Sequence, residues 1–429
     1  MKNTLYKYAL VVSLTVFPAV APTGLGGYSA SSDIGREKLH DGPLPAPGLS
    51  VSSKLSRAPY LQNVRQDGVT ILWRTAAPEK AAVFVERAES AGHEGLFTVP
   101  EAAAFTEHEI TVRGLVPGTK YRYCVTAPDG GVRGGGTFRT APDPGSAAFN
   151  FVVWGDNQGS PEKFSKISEE MSASRPDFAV GVGDYTDNGS APARWENEFF
   201  SPGGGFLGSV PSFLAAGNHD YGSKGDAWDF SPSGPGAREF RASFRNPGGN
   251  RFYYSFDYGS SHFIVLDPNE NRSFASFDVP PQSAQYDWLV RDLESANSRG
   301  AGYIFVFLHE PPFSTSWDDT YYDGEELLRM HLVPLLEKYK VSLVFSGHAH
   351  VYERGALNGV AYVITGGAGG ALDYVQHKRW EHVSVVLREH HFMRVAVNGG
   401  SLLVEARGVD GNVLDSFTLK ERNSAPESR

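Results

Sequence analysis

VFSGHAHVYERG, residues 344–355, sets His348 and His350 two positions apart behind an apolar run, with Gly347 directly before the first. Alone, Gly-His-x-His is a weak signal, because histidines also occupy turns and caps without binding anything. Its meaning depends on whether other apolar runs end in the same way. Four do. FNFVVWGDNQ (149–158) ends in Asp156 and Gln158, and DFAVGVGD (177–184) in Asp184. VPSFLAAGNHD (210–220) ends in Asn218, His219 and Asp220, and GYIFVFLHE (302–310) delivers His309. Continuous apolar runs of this kind predict strands buried on both faces. In an open α/β sheet, ligands gather outside the carboxyl ends of such strands, so the five endings are expected to converge in one crevice. Glycines directly precede Asp156, Asp184, Asn218 and His348, where a sharp turn favours a residue without a Cβ. The remaining histidines lack that context and read as ordinary surface, helix or strand positions.

With 429 residues and 41% hydrophobic content, the chain is long enough for two domains with real cores. The net charge of -10 and a pI near 5.7 argue against a nucleic-acid scaffold binder, which would show a basic face. Phosphate chemistry stays open, since bound metal ions supply local positive charge. Lys2 and Lys7 precede an apolar stretch from Ala9 to Phe17 that stops at Pro18, too short to span a bilayer. Residues 1–32 therefore read as an export signal, cut either after Ala19-Val20-Ala21 or near Ala30 to Ser32, leaving a mature chain without a transmembrane segment at the cell surface, in the periplasm or outside. The single cysteine, Cys124, excludes an internal disulfide and reads as a small buried hydrophobe in a strand.

Residues 33–56, rich in Pro, Gly and Ser, read as a linker and residues 421–429 as a tail. Between them, residues 57–141 show only strand patterns. From residue 149 to 420 strands alternate with helical patterns: PEKFSKISEEMSASRP with Phe164, Ile167 and Met171 in register, SAQYDWLVRDLESANS, and GEELLRMHLVPLLEKYK. A β-rich insertion is expected between Gly222 and Asp267. Two stacked sheets flanked by helices are the natural way to bury this much.

The first segment, with Trp73 and Tyr121 in LVPGTKYRYCV, resembles a fibronectin type III-like sandwich with its tyrosine corner. From RAPYLQ at residue 57 to about residue 420 the chain resembles the calcineurin-like metallophosphoesterases, most closely the purple acid phosphatase branch. FYYSFDYGSSHFIVLD, HEPPFST, GHAHVYERG and YVITGGAGG appear in the order that branch shows. The resemblance implies a four-layer α/β sandwich behind the fibronectin-like domain, and two divalent ions (Fe, Mn or Zn). Asp156, Gln158 and His350 would hold one, Asn218, His309 and His348 the other, and Asp184 would bridge them. Two ions about 3.5–4 Å apart hold a hydroxide for in-line attack on a small phosphate ester. His219 is then a catalytic group beside the ligands, with Asp220 orienting its ring. The implied activity is that of an exported phosphomonoesterase, with a phosphodiesterase acting on nucleotides or lipid head groups, or a surface-binding protein with a vestigial site, as alternatives. The chain departs from the branch at two places. Asp187 stands where the branch has a tyrosinate ligand three residues after the bridging aspartate, and Gln158 ends the first corner. Both argue against a ferric-tyrosinate chromophore, and Tyr185, two residues too early, is expected to point elsewhere.

Overall fold

The computed structural model describes residues 55–89, 97–223, 229–249, 252–269, 281 and 283–422. The export signal, nearly all of the linker and most of the tail lie outside these residues. Each apolar run becomes a strand whose side chains alternate between two buried faces. On Ala148–Trp154, Phe151 and Val153 face a second sheet, while Val152 and Trp154 face helices. That strand pairs in parallel with Phe178–Gly181, which pairs in parallel with Ser212–Leu214. On its other side, His391–Asn398, Ser401–Gly408 and Val413–Lys420 follow as antiparallel neighbours. The second sheet runs Tyr254–Tyr258, Ser261–Val265, Tyr303–Phe307, Leu343–Ser346, Val360–Thr365, Tyr352–Leu357 and Val383–Leu387, parallel through its centre.

Between the sheets lies an aromatic core. The Phe151 ring stacks on Phe178 with centroids 5.1 Å apart and meets Phe263 and Phe305 edge-on at 5.4 and 5.3 Å. Truncating one such fully buried phenylalanine to alanine typically costs about 3–5 kcal/mol. The outer face of the first sheet is covered by the helix Pro161–Ala173, through Phe164, Ile167 and Met171, and by Trp195, Phe199 and Phe206. The outer face of the second is covered by Ala284–Ser298, through Leu289 and Leu293, and by Leu328, Leu332 and Leu336. The four layers are the expected sandwich of two mixed sheets flanked by helices.

The expected β-rich insertion is corrected in two respects. It contains the helix Pro235–Ser243, and its hairpin, Tyr254–Tyr258 with Ser261–Val265, is the edge of the second sheet rather than an excursion from it.

The N-terminal region is all β. Phe97–Pro100, Ala82–Arg87, Lys120–Thr126 and Val132–Arg139 make a four-stranded sheet. Leu55–Gln62, Gly68–Glu79 and Phe105–Arg113 do not form a separate sheet: Gln62 pairs in parallel with Ser212, so these strands extend the first sheet to nine. The Tyr121 hydroxyl accepts the Val116 N–H at 2.9 Å, and Trp73 stacks on His108. Cys124 is buried in its strand, and burial pushes its thiol up to about 12, which keeps it unreactive. No described helix is long and apolar enough to cross a membrane.

Candidate metal centre

Because Ala148–Trp154, Phe178–Gly181 and Ser212–Leu214 are neighbours running the same way, Asp156, Asp184 and Asn218 emerge side by side. Tyr303–Phe307 and Leu343–Ser346 are likewise adjacent and parallel, so His309 and the GHAH corner emerge together from the second sheet. The two groups meet where the sheets' carboxyl edges face each other.

The corners are sharper than their glycines alone suggest. Asp156 (φ 60°), Asp184 (φ 55°) and His348 (φ 69°) themselves adopt the left-handed conformation, uncommon for residues with a Cβ. Strained backbone of this kind clusters where function demands a fixed side-chain direction. Among the four preceding glycines only Gly183 has positive φ, at 100°. The others are required by space: a Cβ on Gly217 would lie 2.2 Å from Asp184 Oδ1, and one on Gly347 2.3 Å from Asp156 Oδ2.

Asn218 Oδ1 lies 3.1 Å from His309 Nε2 and 2.9 Å from His348 Nδ1. Asp184 Oδ2 is 3.1 Å from the same His309 nitrogen, and ligand atoms of Asp184, His309 and His348 all lie within 4.8 Å of one another. Spacings near 3 Å are what donors about 2.1 Å from a shared ion show. Nδ1 of His309 donates to the Val182 carbonyl at 2.8 Å, which fixes the tautomer and turns the lone pair of Nε2 toward the other donors. His350 is held in the same manner, its Nδ1 donating to the Ala371 carbonyl at 2.6 Å and its Nε2 lying 3.6 Å from Asp156 Oδ1. Gln158 Nε2 lies 3.3 Å from both Asp184 Oδ2 and His350 Nε2, while its buried Oε1 has no hydrogen-bond partner among the described residues. Rotating that amide by half a turn, a choice hydrogen-bond networks decide, presents the oxygen to the centre as a ligand.

Burial raises the carboxyl of Asp156, and the charge of nearby Asp184 adds to it. For Asp184 burial acts the same way, but His309, His219 and His348 outweigh it and hold the group well below the usual carboxylate range. Burial alone would lower His309, yet Asp184 and Asp156 raise it well above normal. Concentrated acidic charge in a buried ring of carboxylate, amide oxygen and imidazole is a donor set suited to Mn, Fe or Zn.

All seven expected ligand residues therefore meet in one ring. The expected role of Asp220 is corrected. Its carboxylate accepts the N–H groups of Asp184, Tyr185 and Gly217 at 3.0, 3.0 and 2.8 Å, so it ties two corners together instead of orienting His219. It is the Asp187 carbonyl that accepts from Nδ1 of His219, at 2.9 Å. The Tyr185 ring turns away from the centre and packs against Phe199 and Trp195, its hydroxyl accepting the Gly183 N–H. Two supports were not anticipated. Asp373 accepts the His350 N–H at 2.7 Å, and a Cβ on Gly370 of the GGAGG loop would lie 2.5 Å from His350 Cε1. The glycine run was a signal for the second; nothing near Asp373 signalled the first.

Residues 149–352 match the calcineurin-like phosphoesterase family. Purple acid phosphatase 1 from Ipomoea batatas is 28% identical over 264 residues, 60% of this chain and 54% of that protein. A nucleotide pyrophosphatase/phosphodiesterase from Hordeum vulgare is 25% identical over 332 residues, 66% of this chain and 86% of that protein. In structure, a purple acid phosphatase from yellow lupin (Lupinus luteus) seeds aligns with a TM-score of 0.70 at 20% identity, over 85% of this chain and 74% of that one. The chain spans little more than half the length of the first curated relatives it matches.

Proposed function

From a calcineurin-like phosphoesterase domain at residues 149–352, we propose that the protein is an exported phosphatase that hydrolyses small phosphomonoesters at a centre of two divalent ions. The observation that supports this most is the convergence of seven neutral-or-anionic N and O donors from two sheets onto one crevice, three of them in left-handed backbone. Asp156, Gln158 and His350 would hold one ion, Asn218, His309 and His348 the other, with Asp184 between. Such ions supply the Lewis acidity that ionises a water near neutral pH and neutralises phosphoryl charge. The chain's own part is to fix the donors through Val182, Ala371 and the N–H groups held by Asp220. His219, at the exposed edge of the ring, protonates the leaving oxygen or stabilises its charge. Export rests on the charged and apolar pattern of residues 1–17.

A diesterase reading is favoured by the Hordeum vulgare relative, and a vestigial site predicts no metal at all. Metal analysis of the purified protein, with an aryl phosphate assayed against its bis-aryl diester under Mn, Zn and ferrous iron, separates the three. Asp184→Asn is expected to lose at least one metal equivalent and several orders of magnitude in rate. Near-normal turnover in that variant sinks the two-ion assignment.

A further inference from the structure

Beside the ligand ring, aromatic side chains are left in contact with water. The half-buried Trp317 stacks on His348 with centroids 4.6 Å apart and planes inclined by 22°, and Tyr322 meets the same imidazole edge-on at 5.2 Å. Tyr321, on the same loop after Tyr303–Phe307, and Tyr374, on the loop before Val383–Leu387, are 64% and 63% exposed, and Val375 beside the latter is 47% exposed. Of the seven large apolar side chains exposed among the described residues, three thus lie on these loops. Packing against His348 accounts for Trp317 and Tyr322; Tyr321 meets His377 edge-on at 5.5 Å yet stays largely exposed, as does Tyr374.

The loops are not loose. Trp317 N–H donates to the Val375 carbonyl, and His377 N–H to that of Thr315, both at 2.9 Å. Asp318 accepts the N–H groups of Tyr374 and Val375 at 2.6 and 2.7 Å. Asp373 links this pair of loops to the ring, since one oxygen accepts the Asp318 N–H at 3.0 Å and the other the His350 N–H. A rigid aromatic edge attached to two metal-ligand histidines is pre-organised for a planar group, because stacking is tolerant of ring identity and needs little ordering.

We propose that this rim, Trp317, Tyr321, Tyr322 and Tyr374, receives a ring carried by the leaving group, so that the favoured substrates are phosphate esters whose leaving group bears an aromatic or heteroaromatic ring, phenols and nucleosides alike, over esters without one. This rests on the phosphatase reading above. The test is the double variant Tyr321→Ser/Tyr374→Ser, which leaves the ligand ring untouched. KM for an aryl phosphate and for a nucleoside monophosphate is expected to rise about tenfold, while kcat/KM for glycerol phosphate stays within about twofold. Equal changes for all three esters, or none, overturn the proposal. If the metal-loaded wild type cleaves no ester, the phosphatase reading fails instead. Calorimetric binding then decides the rim by itself: phenylphosphonate must bind more tightly than methylphosphonate, and lose that advantage in the double variant.

Discussion

His219 sits on the one-turn helix Asn218–Tyr221, and its ring is oriented by a main-chain carbonyl, that of Asp187, with the Asp187 carboxylate only as near as 3.8 Å. On the phosphatase reading, His219→Ala should keep its metal but slow cleavage about 10²–10⁴-fold, the usual worth of a positioned acid or base. The loss should shrink for nitrophenyl esters, whose leaving oxygen needs no proton. Asp187→Ala keeps the carbonyl and should cost less than about tenfold. A fall in metal content with His219→Ala makes that residue a ligand and ends its assigned role. Tyr185 gives a second test at this scale. Its ring lies in the core and its hydroxyl is engaged by Gly183, so its oxygen does not reach the candidate centre. The iron-loaded enzyme should show no strong visible band, and Tyr185→Phe should leave the spectrum unchanged. A band that disappears in Tyr185→Phe overturns this placement.

The strand-to-loop corners are where sequence and structure correspond most closely, and the reason is physical. A strand buried on both faces must be apolar throughout, so a polar residue at its end stands out, and the tight corner behind it excludes a Cβ. Both constraints write themselves into residue types, which is why Asp156, Asp184, Asn218, His309, His348 and His350 could be read together. Gln158 was legible only through its place in the same corner. Asp220 misled because a carboxylate beside a histidine suggests a pair, whereas its three acceptor contacts are to main-chain N–H groups that leave no trace in side-chain identity. The helix Ser201–Leu207 carried no helical signal, since Pro202 and Gly203 to Gly205 read as breakers. It forms because Pro suits a first turn and because the missing Cβ of Gly203 admits Phe164. The continuity of the N-terminal strands with the first sheet rests on one pairing, Gln62 with Ser212, and long-range pairing has no local pattern. The corners yield a prediction of their own. In Gly183→Ala a φ of 100° becomes strained, and the new Cβ would stand 2.6 Å from His309 Nδ1, the atom bonded to Val182. Stability should fall by at least about 1–3 kcal/mol in urea unfolding, with loss of the ion assigned to His309. Retention of both full stability and metal means the corner can relax, contrary to this account.

Across the whole molecule, the second sheet and the loops over it are joined by a buried carboxylate. Glu353, 2% exposed on Tyr352–Leu357, accepts the Thr315 N–H at 2.9 and 3.0 Å and the Thr315 hydroxyl at 2.6 Å, just before Trp317. Burial pushes its carboxyl up to about 7, against the opposing effects of those hydrogen bonds and of Arg388. The unfolded chain titrates this group near its ordinary value of 4.5. Between the two values the folded state binds the proton and the unfolded state does not, so stability falls as pH rises across that window. The contribution is full below about 4.5 and gone above about 7, a change on the order of 3 kcal/mol at about 1.4 kcal/mol per unit. Glu353→Gln carries no such proton. Urea unfolding of both forms from pH 4.5 to 8 should therefore show the variant gaining about 3 kcal/mol on the wild type across the series, whatever other groups do in common. Two stability curves that run parallel through this range would mean that Glu353 ionises normally inside the fold, and that water or a cation reaches a carboxylate the packing encloses.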